Sequence, residues 1–275
     1  GVNLNTTMAN WNQNNGPGYT NLADIQPTDA ATTNNSYIFG INQTNLYRWS
    51  MATNVPNGFP SSTTRPITNK GVGVGESRSI TARSNKYLYI VGTGPRGHFI
   101  RCVSTNGTII ETRGSKGTGN TNFWAPQGVT WDPVNDRIWV ADTSNQRMVC
   151  YDVISNKLRF RKKVENSSSP YLIVNPLDVA IDRYGSVYVV DNGKCVLKKF
   201  DEYGNFKMQI GGRGSVPGLF TDPKGVAVDE NGYIYISDYG TIDGNDAVDG
   251  IQKFDADGNY LLSIDVPDPR GLTSF

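Results

Sequence analysis

The stretch that decides the fold is Pro176-Leu-Asp-Val-Ala-Ile-Asp182, followed by Gly185-Ser-Val-Tyr-Val-Val-Asp191 and then by Val196-Leu-Lys-Lys-Phe-Asp201. Each run is short, apolar and rich in β-branched or aromatic residues, which suits strands packed on both faces. Between them sit an Asp-x-x-Gly turn and a polar loop. Aspartate supplies a local acceptor for backbone N–H groups in such turns, and glycine supplies the positive φ. The unit therefore reads as consecutive antiparallel strands joined by tight turns.

The same unit stands on either side. Upstream, Pro126-Gln-Gly-Val-Thr-Trp-Asp132 leads to Asp136-Arg-Ile-Trp-Val-Ala-Asp142 and Arg147-Met-Val-Cys-Tyr-Asp152. Downstream, Pro223-Lys-Gly-Val-Ala-Val-Asp229 leads to Gly232-Tyr-Ile-Tyr-Ile-Ser-Asp238 and Ile251-Gln-Lys-Phe-Asp255. Two weaker copies precede these, Ser79–Arg83 with Lys86–Val91 and Phe99–Val103, and Pro27–Ala31 with Ser36–Phe39 and Leu46–Trp49. Unit starts near residues 27, 77, 126, 176, 223 and 269 give a period of about 47–50 residues, which marks an array of identical modules that bury their faces on one another. The fold expected is all-β, a single β-propeller domain over 1–275 with five to six four-stranded blades.

The ends suggest how such a ring closes. Pro269-Arg-Gly-Leu-Thr-Ser-Phe275 resembles the opening of a sixth inner strand, and Thr6–Trp11 stands where an outer strand is due, so residues 1–22 read as a closing strand and linker. The last blade is then shared between N- and C-terminal strands, which removes free sheet edges. Two middle strands of that blade are missing from the pattern. The expectation is a six-bladed ring completed by further chain or by a partner, the alternative being five blades and a closing strand. Gly1 in place of methionine is read as a removed leader or a fragment.

Pro-x-Gly-Val-x-x-Asp followed by Ile-x-Val-Ala-Asp-x-x-Asn-x-Arg resembles the NHL repeat, and Asp142-Thr-Ser-Asn145-Gln-Arg147 is the best single match. The resemblance is specific over 117–264 and weaker over 20–116. It implies a propeller and no one activity, since the fold hosts unrelated functions. Members include an amidating lyase, RNA-binding modules, sensor domains and adhesive ectodomains, and related propellers include metal-dependent lactonases. Lyase chemistry of that kind needs several zinc-ligating histidines, and His98 is the sole histidine. In such repeats Asp142, Asn145 and Arg147 are expected to form a turn network.

Three sets of residues are candidates for function. Propeller ligands meet the mouth of the central channel, where inner strands begin, and there the sequence places Asp29, Arg78, Gln127, Asp178, Lys224 and Arg270, a mixed ring suited to an anionic or sugar-like ligand. Asp243, Asn245, Asp246 and Asp249 offer oxygen ligands for Ca2+, although their spacing is not that of an EF-hand. Sequons at Asn5, Asn34, Asn42, Asn106 and Asn166 permit glycosylation at about the frequency chance predicts. Lys157-Leu-Arg-Phe-Arg-Lys-Lys163 interleaves cations with apolar residues as a nucleic-acid surface would, but equally as an outer strand with one wet face.

Composition narrows the field. The formal net charge is +1, so nucleic acid is an unlikely partner. The charge is uneven: residues 61–165 hold 16 Lys/Arg against 7 Asp/Glu, and residues 166–275 hold 9 against 16. Such a split favours contact between copies, the basic blades of one against the acidic blades of another, and a head-to-tail contact of that kind makes rings or filaments. No apolar run approaches the roughly 18 residues of a membrane span. Cys102 and Cys150 fall at equivalent third-strand positions in adjacent blades, beyond the Cα limit of about 7 Å for a disulfide, so buried free thiols are expected. The Asn/Thr/Ser-rich first 60 residues point to an extracellular or cell-surface setting. The functional expectation is a non-catalytic binding or assembly module for a protein partner or further copies of itself. A metal-dependent hydrolase or lyase at the channel mouth and an RNA-binding domain are the alternatives.

Overall fold

The computed structural model describes residues 24–27, 37–41, 46–50, 76–83, 86–94, 97–165, 168, 171–239, 250–266 and 272. Its strands form five antiparallel sheets. A three-stranded sheet holds β1 (Asp24–Pro27), β2 (Tyr37–Ile41) and β3 (Leu46–Ser50). Four four-stranded sheets follow: β4 (Glu76–Arg83) to β7 (Ile109–Arg113) through β5 (Tyr87–Thr93) and β6 (Phe99–Ser104); β8 (Gly128–Asp132), β9 (Arg137–Asp142), β10 (Arg147–Ile154) and β11 (Lys157–Val164); β12 (Pro176–Ile181), β13 (Val187–Asp191), β14 (Val196–Phe200) and β15 (Phe206–Gly211); β16 (Pro223–Val228), β17 (Ile234–Asp238), β18 (Gly250–Phe254) and β19 (Tyr260–Asp265). Within each sheet the strands pair in chain order. The fold is therefore an all-β propeller of four-stranded sheets. Five to six complete blades were expected, and four are present among the described residues. Residues 1–22, the start near 269 and most of the chain between β1 and β4 lie outside them.

Apolar residues alternate onto both faces of the central strands, so each sheet must be covered twice. The core accordingly consists of slabs between neighbours. Leu46 packs with Ile80, Leu88, Ile90, Phe99 and Val103 between the first and second sheets. Tyr89, Val91, Ile100 and Cys102 meet Val129, Ile138, Val140 and Tyr151 between the second and third. Trp139, Ala141, Met148 and Cys150 meet Val179, Val187, Val189 and Phe200 between the third and fourth. Tyr188, Val190, Leu197 and Ile210 meet Val226, Ile234, Ile236 and Phe254 between the fourth and fifth. Cys102, Cys150 and Cys195 are buried free thiols, and burial pushes the Cys150 thiol up to about 12.

The innermost strands run parallel to one another and are bonded by side chains. Ser79 Oγ accepts the Val129 N–H at 3.3 Å and Thr81 Oγ1 accepts the Trp131 N–H at 3.1 Å, two residues further along both strands. Asp178 Oδ2 accepts the Val226 N–H at 3.0 Å in the same way. Inner strands in a twisted ring diverge too far for full ladders, so side-chain acceptors satisfy these donors.

In the third, fourth and fifth sheets the linker into the blade is fastened by a buried aspartate at the end of that blade's second strand. Asp142, Asp191 and Asp238 are fully buried. Asp142 accepts the Trp124 N–H at 2.7 Å, Asp191 the N–H groups of Val174 and Asn175 at 3.2 and 2.9 Å, and Asp238 those of Thr221 and Asp222 at 3.0 and 2.8 Å. A second side chain then takes the linker's carbonyls. Arg147 donates to Asp142 Oδ2 at 2.8 Å and to the carbonyls of Thr118, Gly119 and Asn122. Lys198 donates to Asp191 Oδ2 at 2.7 Å and to the Leu172 carbonyl. Gln252 donates to the Leu219 carbonyl at 2.7 Å and accepts the Gly218 N–H at 2.8 Å. Burial pushes the Asp142 and Asp238 carboxyls above the ordinary carboxylate range, with the hydrogen bonds they accept opposing it.

The linkers also need glycine in two places. Gly211 has φ +87°, and a Cβ there would stand 2.3 Å from the ring of buried Phe220. Gly114, at φ +107°, meets Phe123 in the same way.

Two aspartates with the same chemistry therefore differ sharply in importance. Asp191→Ala leaves Lys198 buried without its counter-ion and is expected to cost about 3–5 kcal/mol. Asp201→Ala, which removes an exposed turn acceptor for Tyr203 and Asn205 N–H, is expected to cost about 1 kcal/mol. Urea unfolding of the two variants checks the ordering, and equal losses would contradict it.

Candidate functional site

At the end where the inner strands begin, the second, fourth and fifth sheets share a β-bulge. The register shifts between Ser77 and Ser79, between Pro176 and Asp178, and between Pro223 and Gly225. The bulged residues are thus Arg78, Leu177 and Lys224. The sequence reading grouped Asp178 with Lys224, although Asp178 stands two residues after its proline and Lys224 one after its own; the register makes Asp178 the equivalent of Ser79 and Gly225, one residue on and facing the other way. Its carboxylate is occupied with the Val226 N–H of the next sheet and lies against Gly128, where a Cβ would come within 2.9 Å of Asp178 Oδ1.

Lys224 Nζ pairs with Asp222 at 2.7 Å, and Asp222 also accepts from Asn192 Nδ2 at 2.5 Å. Asn192 reaches the Pro223 carbonyl at 3.1 Å and accepts from Asn175 at 3.2 Å. Thr143 does the equivalent one blade earlier, donating to the Pro176 carbonyl at 2.7 Å. These half-buried groups form a polar chain across the fourth and fifth sheets. Arg78 is exposed and Gln127 half-buried ahead of β8. Asp29 and Arg270 lie outside the described residues, as do Asp243, Asn245, Asp246 and Asp249 and the sequons at Asn5, Asn34, Asn42 and Asn166. Asn106 is exposed in the β6–β7 turn, its Oδ1 accepting the Thr108 hydroxyl at 3.2 Å. Among the described residues no group of three or more His, Cys, Asp or Glu is placed to hold a metal ion.

Other sequence candidates have local explanations. Asp142, Asn145 and Arg147 form the linker fastening, with Asn145 Nδ2 on the Gly117 carbonyl at 2.8 Å. His98 Nδ1 accepts the Ala125 N–H at 3.0 Å, and burial, helped by Lys116, lowers its pKa. In the basic run of β11, Leu158 is buried and Phe160 half-buried while Lys157, Arg159 and Arg161 are exposed, the pattern of an outer strand with one wet face.

The opposite end holds the β-turns that join first to second and third to fourth strands. Because neighbouring inner strands are parallel, all these turns point the same way. Asp182 and Asp201 each bind two backbone N–H groups of their own turn through Oδ1, and Gly185 and Gly204 follow at φ +80° and +79°. Such a turn needs nothing bulky between Asp and Gly. Yet large side chains occupy the tips: Tyr184 is 69% exposed, Tyr203 66%, Ile154 57% and Val134 52%. Gly185 packs beside Val134 and Glu202, so the tips of the third and fourth sheets adjoin. The Arg183 guanidinium lies 4.8 Å over the Tyr184 ring. Sequence reasoning passed over these tyrosines because it scored the Asp and Gly of each turn; the signal was the aromatic residue in Asp182-Arg-Tyr-Gly185 and Asp201-Glu-Tyr-Gly204.

Residues 123–151 match the NHL repeat family, covering the run from the Phe123 anchor through Asp142, Asn145 and Arg147 to Tyr151. Similar solved structures include a nidogen/laminin complex, 14% identical over 90% of this chain and 83% of that one with a TM-score of 0.62. A streptogramin B lyase is 11% identical over 94% and 75% with a TM-score of 0.62, and virginiamycin B lyase from Staphylococcus aureus is 14% identical over 93% and 75% with a TM-score of 0.59. No curated protein matches the chain by sequence. The slabs, the parallel inner strands and these likenesses define a repeat β-propeller. Within that class, one repeat of the chain, residues 123–151, matches the NHL repeat. No described helix is long and apolar enough to cross a membrane.

The second and third sheets are joined at the turn end by Arg83, which holds Asp136 at 2.5 and 2.6 Å and Asn156 at 3.0 Å. The Arg83 hydrogen bond holds the Asp136 carboxyl below its ordinary range. This pair is expected to add stability above the unfolded carboxylate pKa of about 4 and to lose it as pH falls through the lower folded value. Melting temperatures of the wild type and Asp136→Asn are expected to differ near neutrality and to converge in acid; a constant gap would contradict the linkage.

Proposed function

We propose that the chain is a non-catalytic binding and assembly module whose partner is a protein surface, other copies of itself included. The observation that carries this reading is the exposure of Tyr184 and Tyr203 on adjoining turn tips, with Val134 against them and Ile154 exposed in the other turn of the third sheet. Tyrosine and arginine concentrate binding energy at protein interfaces because they offer large, rigid, amphipathic area at small entropic cost. Nothing in the turn chemistry calls for them.

The competing reading, a metal-dependent hydrolase or lyase at the inner-strand end, draws on the lyases among the similar structures. Against it stand the commitments of the carboxylates there: Asp178 holds a neighbouring N–H and Asp222 is paired with Lys224. Metal-assisted chemistry needs carboxylates free to coordinate and an open coordination position.

We further infer a ring of five to six blades with the last shared between the chain ends, in an extracellular setting. The outward face of the fifth sheet supports closure, since it carries Ala227, Ile251, Leu262 and Ile264.

Light scattering of the purified chain across a salt series, with a divalent-metal assay on the same sample, tests the function. A salt-sensitive mass above that of one chain, without stoichiometric metal, is expected. A monomer at every salt concentration that carries one tightly held divalent ion would overturn the reading in favour of the enzyme.

A further inference from the structure

The turn end is divided by charge as well as studded with aromatics. On the second, third and fourth sheets its tips carry Lys86, Lys157 and Arg183, all exposed. None of the three is in an ion pair among the described residues; Arg183 Nη2 donates to the Tyr184 hydroxyl at 2.5 Å. On the fifth sheet the two turns are Asp229-Glu-Asn-Gly232 and Asp255-Ala-Asp-Gly258. Asp229 and Asp255 bind their own turns through Oδ1, and Glu230 and Asp257 are exposed beside them. No ion pair to these four carboxylates occurs among the described residues.

A contact that grows without limit needs its two complementary patches on different faces of the subunit. Here the basic, aromatic half and the acidic half lie side by side on one end. A second copy turned about a two-fold axis perpendicular to that end brings basic half to acidic half twice, in a single closed contact. Charge complementarity orients the encounter and penalises other registers, while the tyrosines supply the desolvated area.

We propose that the turn end pairs with the turn end of a second copy as a closed two-fold dimer, with Lys157, Arg183, Tyr184 and Tyr203 of one copy against Glu230 and Asp257 of the other. This rests on the self-association reading above and replaces a head-to-tail polymer with a finite pair. The side chains of the exposed tip residues named make no hydrogen bond that holds a turn, the bonds there coming from backbone N–H groups, so the side chains can be exchanged without disturbing the blades.

The test is sedimentation equilibrium at low salt on four chains: the wild type, Tyr184→Ser/Tyr203→Ser, Lys157→Glu/Arg183→Glu and Glu230→Lys/Asp257→Lys, with melting curves to verify folding. The wild type is expected at twice the chain mass, unchanged by further concentration, and the tyrosine variant at the mass of one chain. Each charge variant alone presents an end of nearly one sign and is expected to dimerise about ten-fold more weakly or worse. Mixed in equal amounts, the two charge variants are expected to recover a one-to-one pair. A wild-type dimer undiminished in every folded variant overturns the assigned face while leaving self-association intact. A mass that climbs with concentration overturns the closed symmetry, and a wild-type monomer at high concentration overturns both the pair and the self-association on which it rests.

Discussion

Everything in this propeller hangs on keeping the linker between blades in register with the sheet it enters. A linker has no ladder of its own, yet it runs over buried aromatics such as Phe123 and Phe220 and cannot leave its N–H groups unpaired there. The structure solves this with an anion at the end of the second strand. Asp142, Asp191 and Asp238 each face inward at that point and take linker N–H groups some sixteen to eighteen residues upstream. Because these carboxylates are dry, they in turn require donors arranged around them. Blade packing, strand register and the direction of the turns all follow from that fastening.

The fastening also determines what the inner-strand end can offer a ligand. Polar groups that look available in a one-dimensional reading are largely spent on architecture. Asp178 bridges to the next inner strand, while Thr143 and Asn192 hold the prolines that open the following blades. What remains accessible at the opposite end is unconstrained by these needs, so the bulky side chains on the turn tips need a reason outside the turns themselves.

Much of the architecture was legible from periodicity, because alternation and Asp-x-x-Gly turns are local and repeat. The starts near 77, 126, 176 and 223 fall within two residues of β4, β8, β12 and β16. The inner ring was less legible. Asp178, two residues after its proline, was grouped with Lys224, one residue after its own, and only the bulged register shows that the two face opposite ways, with Asp178 at the position of Ser79. Likewise Lys198 and Gln252 were not recognised as counterparts of Arg147. They sit two residues further along the third strand, opposite Val189 and Ile236, where Arg147 is opposite Asp142 itself. The tyrosine tips went unread because the turn pattern fixes only its Asp and Gly, and no spacing rule bears on the residues between them.

The linker fastening has been built three times from three different side chains: a forked guanidinium, a flexible ammonium and a neutral amide. Only the first falls within the stretch that matches the NHL family. Each of these three blades settles its linker internally, so exchanging one solution for another asks nothing of the neighbouring blades. Blades can therefore diverge one at a time while the ring persists, and a family signature can shrink to a single legible repeat in a chain whose other modules carry the same mechanics in different lettering.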